Sequence, residues 1–344
     1  TVVTRDMLAT AVHYEVMFVK MLQTVPESER LRLVNEQDVL GRNVWHRVAE
    51  SGELACVKAI LALYPESQYL QAVNKQDRRK MTVLHWAASS GNVDVINMIL
   101  SLYSEESELV QAVSTQDQFE DTPLHVATRS GHFQAMEAIF AVLPQSKLLQ
   151  VVNMQDYNGM TVLHCAASSG NVQCIKSVLA LYPESQQLQA VVRQDRGGRT
   201  LLHHAAWSSN IEAIKAILSL YPETQHLQAV NMKDYIGMNV LHWAARSGNL
   251  ESVKTILALY PESQYWRAIT EQDTSGCTLL HKAALSNNPE TIKFLLNSLP
   301  ESQRLEAVKM QDEDGKTMLQ LMHSATRNSI REAIPGNIGN CTVL

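Results

Sequence analysis

Residues Thr82–Gly91, TVLHWAASSG, decide the fold because they spell out a short helix with its start and its stop. Thr82 is a favoured N-cap residue, and Gly91 stands where a helix ends in a left-handed backbone conformation. Asn92 then caps a second helix, which the sequence predicts from Val93 to about Tyr103. The stretch therefore predicts a compact helix–turn–helix unit.

This unit recurs along the chain with a period of 39 residues, and each copy is marked by an aspartate that usually follows glutamine. The aspartates are Asp38, Asp77, Asp117, Asp156, Asp195, Asp234, Asp273 and Asp312. A histidine keeps the same spacing at His46, His85, His125, His164, His203, His242 and His281, with Gln320 in the eighth place. The copy that starts at Asp77 is one residue longer than the others.

A third marker is Pro-Glu-Ser or a close variant, which follows the second helix of most units. It starts at Pro26, Pro65, Pro183, Pro222, Pro261 and Pro300, with a weaker copy at Pro144 and with Ser104 in place of proline in the longer unit. After Pro65, the apolar residues Leu70 and Val73 lie three apart, so we predict a short third helix. Three markers with one period predict a single quasi-linear solenoid, not the two or three globular domains that 344 residues would otherwise suggest.

Residues Asp156–Asn171, DYNGMTVLHCAASSGN, resemble the ankyrin repeat, and Thr122–Ala127, TPLHVA, matches the signature of that family. The resemblance covers roughly residues 38–344 and implies an all-α solenoid of about seven helix–loop–helix repeats, each with the short third helix. The units are longer than the usual ~33 residues. Repeats enlarged in this way resemble those of ankyrin proteins that intracellular bacterial pathogens inject into host cells. That second resemblance implies a secreted effector that acts on eukaryotic proteins in the host cytoplasm.

We expect a degenerate helical cap at 1–37, seven repeats, and a C-terminal capping repeat at 312–344. The seven repeats are 38–76, 77–116, 117–155, 156–194, 195–233, 234–272 and 273–311. Because the chain opens on Thr1 and not on methionine, we expect a fragment, with further residues after the last cap. Eight stacked units would form a curved rod of roughly 70–80 Å, and its concave side would be the natural place to bind something.

The composition is that of a folded protein, with 45% apolar and 19% charged residues. No run of eighteen apolar residues and no signal peptide is visible, so we expect no membrane span. The net charge of −6, from 29 basic and 35 acidic residues, disfavours nucleic-acid binding as the main activity. Five cysteines without a C-x-x-C pair indicate reduced thiols in a cytosol, with no disulfide or zinc framework. We expect a monomer.

The histidines that keep the 39-residue spacing, called the in-phase histidines below, occur once per repeat. We interpret them as residues whose hydrogen bonds join neighbouring repeats. The remaining histidines have no cysteine or carboxylate at metal-ligand spacing. Cys165 and Cys174 are interpreted as packing residues; the alternative is a Cys–His nucleophile with His164 or His204, although nothing nearby would activate the thiol. Without a phosphate-binding loop, a nucleophile elbow or a His-Glu-x-x-His motif, the sequence predicts no enzyme, no cofactor and no metal site.

The resemblance implies that a partner meets the loop residues after each aspartate and the variable pair after Ala-Ala. Exposed aromatic residues and methionines are expected at these positions, and both are enriched in interfaces; packing between neighbouring loops is the alternative. These positions carry an excess of five positive charges, which predicts an acidic partner. They hold two acids, Glu50 and Asp121, and seven arginines: Arg42, Arg78, Arg79, Arg129, Arg196, Arg199 and Arg246. The predicted contact residues are Arg78, Arg79, Phe119, Arg129, Tyr157, Met160, Arg196, Arg199, Trp207, Tyr235, Met238 and Arg246.

We therefore predict a non-catalytic module that binds a partner protein on a concave, loop-lined, basic face. Two alternatives stay open. In the first, the repeats target an enzyme whose catalytic domain lies outside this chain. In the second, the arginine-bearing face binds anionic lipid headgroups or RNA, through the clusters Arg78–Lys80 and Arg193–Arg199.

Overall fold

The computed structural model describes residues 3–334, and this part of the chain is helical apart from turns and one isolated β-bridge between Gln311 and Thr317. The prediction of an all-α fold is confirmed. The chain divides into two compact units, Thr1–Leu181 and Tyr182–Leu344, which are called unit 1 and unit 2 below. Residues 335–344 of the expected C-terminal cap, with Cys341 among them, lie outside the described range.

The α-helices of unit 1 are α1 (Arg5–Ala11), α2 (Glu15–Thr24), α3 (Glu27–Asn35), α4 (Val44–Ser51), α5 (Leu54–Leu61), α6 (Tyr69–Val73), α7 (Val83–Ser90), α8 (Val93–Leu100), α9 (Glu106–Ser114), α10 (Pro123–Arg129), α11 (Phe133–Val142), α12 (Gln145–Val152), α13 (Val162–Ser169) and α14 (Val172–Ala180). A 3₁₀ turn, Glu66–Gln68, precedes α6.

The α-helices of unit 2 are α15 (Glu184–Val192), α16 (Leu201–Trp207), α17 (Ile211–Leu218), α18 (Glu223–Asn231), α19 (Val240–Ser247), α20 (Leu250–Leu257), α21 (Tyr265–Thr270), α22 (Leu279–Ser286), α23 (Pro289–Asn297), α24 (Glu301–Lys309), α25 (Met318–Leu321) and α26 (Ser324–Ser329). The 3₁₀ turns Glu262–Gln264 and Arg331–Ala333 precede α21 and follow α26.

Three successive helices make up one repeat, as α7, α8 and α9 show. The first helix, α7, ends at Gly91 with φ 74°, and Asn92 caps α8 by accepting the N–H of Val95 at 3.1 Å. The end of the first helix, the start of the second and the presence of a third helix are confirmed, but the third helix is not short here, since α9 has nine residues and α7 and α8 have eight each. The second helix ends earlier than predicted, at Leu100, because the chain then turns and buries Tyr103 in the core.

Within each unit the first helices pack side by side: α4, α7, α10 and α13 in unit 1, and α16, α19 and α22 in unit 2. Small residues allow this close approach, since Ala87 and Ala88 are fully buried. The cysteines Cys56, Cys165, Cys174 and Cys277 are buried as well. Burial raises the pKa of Cys165 to about 12. The interpretation of Cys165 and Cys174 as packing residues is therefore confirmed.

The in-phase histidines join the start of each first helix to the segment that leads into the next repeat. In unit 2, Nδ1 of His203 accepts the backbone N–H of Thr200 at 3.0 Å and lies 2.9 Å from its hydroxyl. Because Nδ1 accepts, the ring proton is on Nε2, which donates to the carbonyl of Met232 at 3.0 Å. The Nε2 contacts, all at 3.0–3.1 Å, are His46–Lys75, His85–Asp121, His125–Met154, His203–Met232, His242–Glu271 and His281–Lys316.

These buried imidazoles are neutral. Burial lowers the pKa of His85 and of His203 to about 4, because the charged form would lose its water and the nearby carboxylates offset only part of that loss. Burial also lowers the pKa of His46, His125, His242 and His281. The predicted structural role of the in-phase histidines is confirmed.

The folded chain should lose stability as the pH falls from 7.5 to 5. The unfolded histidines, with a pKa of about 6.5, take up protons in this range, while folded His85 and His203 take them up only near pH 4. At pH 5 each should lower the free energy of unfolding by about 1–2 kcal/mol. The measurement is urea unfolding followed by circular dichroism at both pH values.

A matched variant of this test is His203→Gln, because Gln320 occupies the same slot and its Oε1 accepts the N–H of Thr317 at 2.8 Å. This variant should show a smaller pH dependence than the wild type by about 1–2 kcal/mol. The exposed His13, changed to glutamine, should leave the pH dependence unchanged. Equal pH dependence in all three proteins would contradict the assignment.

Candidate functional site

Each repeat opens with a five-residue finger loop, which starts at the in-phase aspartate and includes residues 38–42, 77–81, 117–121, 156–160, 195–199, 234–238, 273–277 and 312–316. One carboxylate oxygen closes the loop. In the loop that starts at Asp195, Oδ1 accepts the N–H of Gly197 at 2.8 Å and of Arg199 at 2.9 Å. Gly198 has φ 78°, and a Cβ there would come within 2.6 Å of the Tyr235 ring, so a larger residue would have to displace that ring and adopt a strained backbone conformation.

Neighbouring finger loops are joined by single backbone hydrogen bonds. In unit 2, the N–H of Tyr235 donates to the carbonyl of Gly197 at 2.9 Å, and that of Thr274 donates to Ile236 at 3.0 Å. In unit 1 the corresponding pairs are Arg78–Leu40, Gln118–Arg79 and Tyr157–Phe119, at 2.8–2.9 Å. The loops therefore form a row in each unit, with exposed side chains at several of their tips.

The second carboxylate oxygen of several finger aspartates binds a donor nine residues further on, in the first helix. In unit 2, Oδ2 of Asp195, Asp234 and Asp273 accepts from His204 at 3.0 Å, Trp243 at 2.9 Å and Lys282 at 2.5 Å, respectively. In unit 1, Asp77 accepts from Trp86 at 3.2 Å. None of these donors was among the predicted site residues. The signal was a nine-residue spacing from the aspartate to a tryptophan, histidine or lysine, which four of the repeats show.

The carboxylate of Asp195 is held in its charged form. Burial alone would raise its pKa, but the hydrogen bonds from His204 and from the Arg199 backbone, together with the nearby positive charges, lower it to about 2. Asp195 therefore stays ionised at every physiological pH and acts as a fixed acceptor.

The predicted aromatic contact residues are exposed. The exposed fractions are 50% for Phe119 and 62% for Tyr157 in unit 1, and 47% for Trp207 and 71% for Tyr235 in unit 2. Leu285 is also exposed, at the position that corresponds to Trp207 two repeats later, and so is Ile236 beside Tyr235. Neither was among the predicted contact residues.

The expected exposure of Met160 and Met238 is wrong, since the two side chains are 7% and 0% exposed. Each is the fifth residue of a finger loop, where Oδ1 of Asp156 or Asp234 holds its N–H at 2.8 Å. Closing the loop in this way turns the fifth side chain into the stack, so both methionines are core residues.

The predicted excess of five positive charges is wrong, because it left out the in-phase aspartates that pair with the arginines. In unit 2, Nε of Arg199 binds Oδ2 of Asp195 at 2.9 Å, and its guanidinium lies 5.8 Å from the centre of the Trp243 ring. In unit 1, Arg42 repeats this arrangement with Asp38 and Trp86.

Arg129 in unit 1 is also held by carboxylates. Its two terminal nitrogens bind Asp121 at 2.5 and 2.7 Å, and Nη2 reaches Asp156 at 2.8 Å. Nη2 also lies 3.5 Å from the thiol of Cys165, yet the pKa of that thiol remains raised by burial. The candidate Cys–His nucleophile therefore gains no support from this arginine. Arg78, Arg79, Arg196 and Arg246 are exposed at the surface.

In unit 2 the exposed Trp207 packs against the half-buried Trp243. The rings of Trp207 and Trp243 meet edge to face, with centroids 5.6 Å apart and an angle of 89° between their planes. The indole N–H of Trp243 donates a hydrogen bond to Asp234, so the ring against which Trp207 packs is itself held in position. Such a side chain loses little conformational freedom when it binds another molecule.

A family model described as ankyrin repeats, in three copies, matches the chain over overlapping stretches, 7–108, 45–146, 106–189, 146–226, 183–266 and 241–334. A comparison with curated proteins finds no match. Among residues 3–334 there is no group of three or more histidine, cysteine, aspartate or glutamate side chains that could hold a metal ion. In the same range no helix is both long and apolar enough to cross a membrane.

Removing Lys282 should be much more costly than removing an exposed lysine. Burial would raise the pKa of Asp273, but the hydrogen bonds from Lys282 and from the Cys277 N–H lower it, and both members of the pair are buried. Lys282→Met leaves this carboxylate without its partner and should lower the free energy of unfolding by about 3–5 kcal/mol.

The matched control for Lys282→Met is Lys254→Met, because Lys254 pairs with Glu251 at 2.7 Å on the surface of the same unit. That change should cost about 0–1 kcal/mol. Urea unfolding of the two variants is the measurement, and similar losses in both would show that the buried pair has no special role.

Proposed function

Because this chain belongs to the ankyrin-repeat family, we propose that it is a non-catalytic module that binds a partner protein with its finger loops and first-helix ends. The observation that carries this proposal is the exposure of large aromatic side chains at positions the scaffold does not need. In-phase residues make the hydrogen bonds that hold the repeats together, whereas Trp207 and Tyr235 break the phase and are exposed.

Unit 2 offers the stronger candidate surface. Trp207, Tyr235 and Ile236 are exposed there. Arg196 lies in the neighbouring finger loop at the position that corresponds to Tyr235, and Arg246 lies in the next first helix at the position that corresponds to Trp207. Aromatic residues and arginine are the residue types that contribute most to binding energy at protein interfaces. The alternative, in which these aromatics serve only to pack neighbouring loops, accounts for the buried methionines but not for a tyrosine that is 71% exposed.

Unit 1 carries its own smaller candidate surface at its finger tips, made of Arg78, Arg79, Phe119 and Tyr157. The two arginines are adjacent and exposed, which favours an acidic contact region on the partner. Their contribution would be to the rate and orientation of association, and the aromatic side chains would supply most of the affinity.

An acidic protein partner fits the remaining exposed arginines better than a lipid or RNA ligand does. Arg42, Arg129 and Arg199 are bound to aspartates, so they have less positive charge to offer to a phosphate backbone. The roles of a secreted bacterial effector in host cytoplasm, and of a targeting array for an enzyme elsewhere in a longer protein, stay hypotheses. The first rests on the enlarged repeats alone.

Site-specific photocrosslinking tests the proposed surface. A benzophenone amino acid placed at Tyr235 should trap a partner from eukaryotic cell lysate, because this side chain is exposed at a finger tip. The same group placed at Gln228, which is exposed on the third helix α18, should give at least about tenfold less crosslink if binding is concentrated at a few contact residues.

An excess of unmodified chain should suppress the crosslink from Tyr235, whereas an excess of the Tyr235→Ala variant should suppress it less. Equal trapping from Gln228 and Tyr235, or trapping from Gln228 alone, would show that the finger loops are not the binding surface.

A further inference from the structure

Three residues of unit 2 occupy the same position near the ends of successive first helices: Trp207 in α16, Arg246 in α19 and Leu285 in α22. We call them the helix-end row. All three are exposed, and the three helices pack side by side. Packed helices lie about 8–10 Å apart, so the row spans roughly 20 Å with an arginine at its centre and an apolar side chain at each end.

The repeat scaffold does not require these residue types. The residues at the same position in unit 1 are Glu50, Ser89, Arg129 and Ser168. Two of these are small, and the arginine is bound by Asp121 and Asp156. In contrast, Arg246 forms no salt bridge within residues 3–334, and its neighbours in the row are a tryptophan and a leucine.

The two apolar ends of the row are suited to act as anchors. Trp207 rests against Trp243, which is itself fixed by a hydrogen bond to Asp234. Leu285 is 45% exposed although it is a leucine in the last turn of a helix whose other apolar residues are buried. An exposed cation between two apolar side chains attracts a carboxylate that is flanked by apolar groups.

Resting on the proposed function, we infer that the helix-end row of unit 2 selects a partner segment with an apolar side chain, a carboxylate and a second apolar side chain in that order. The carboxylate binds Arg246, and the apolar side chains cover Trp207 and Leu285. A span of roughly 20 Å corresponds to about 13 residues of an α-helical segment or about six residues of an extended one. Arg246 is thus the residue that determines the preferred charge.

Selection from a random peptide library tests this inference with the full chain as bait. Peptides of about 16 residues are long enough for either conformation. Peptides enriched on the wild type should carry an acidic residue between two apolar ones. Arg246→Glu should change the preference at the central position from Asp or Glu to Lys or Arg. Trp207→Ala should weaken the enriched peptides at least about tenfold.

The control is Gln228→Ala, because Gln228 is exposed on the third helix α18 of the same unit, outside the proposed surface, and the change should leave the affinities unchanged. Circular dichroism of every variant separates lost binding from lost folding. Enriched peptides that lack the pattern, or whose affinity is unchanged in both Arg246→Glu and Trp207→Ala, would overturn the inference while leaving the proposed function standing. A selection that enriches no peptide would also overturn it, and the crosslinks at Tyr235 would then decide the proposed function independently.

Discussion

The structure depends on a buried, neutral imidazole that recurs once per repeat. In most repeats its Nδ1 accepts the N–H at the start of a first helix and its Nε2 donates to a backbone carbonyl at or just before the start of the next repeat, as His203 does with Thr200 and Met232. A solenoid has no long-range contacts to hold it together, so its stability comes from each repeat and from the interface with its neighbour. A hydrogen bond that crosses this interface in a buried site therefore helps to fix the spacing of the two repeats that it joins.

The finger aspartates impose a second constraint, and it limits how much positive charge the surface can present. One oxygen closes the finger loop, and the other binds a donor that differs from repeat to repeat, such as His204, Trp243 or Lys282. Arg199 is drawn into this network and lies over the Trp243 ring. Part of the positive charge of the arginines is therefore neutralised by the finger aspartates. The candidate binding surface is more aromatic and less basic than a count of its arginines indicates.

Much of the fold could be predicted from the sequence because the physical signals are local and repeated. The cap at Asn92, the glycine at Gly91 and the period of the histidines each depend on residues close together in the chain. The exposed aromatic residues could be identified because aromatic side chains do not recur at their positions in every repeat. The burial of Met238 and the pairing of Arg199 could not, because periodicity does not say to which side a finger residue points, and the charge count ignored the aspartates assigned to the scaffold.

The central claim is that in-phase residues hold the repeats together, whereas the exposed out-of-phase residues contribute little to the stability of the fold. The most direct test compares the urea unfolding of His203→Phe and Tyr235→Ala. Loss of the imidazole leaves the N–H of Thr200 and the carbonyl of Met232 without a partner and should lower the free energy of unfolding by about 2–4 kcal/mol. Loss of the exposed tyrosine ring should cost less than about 1 kcal/mol. Equal losses, or a larger loss for Tyr235→Ala, would contradict the account.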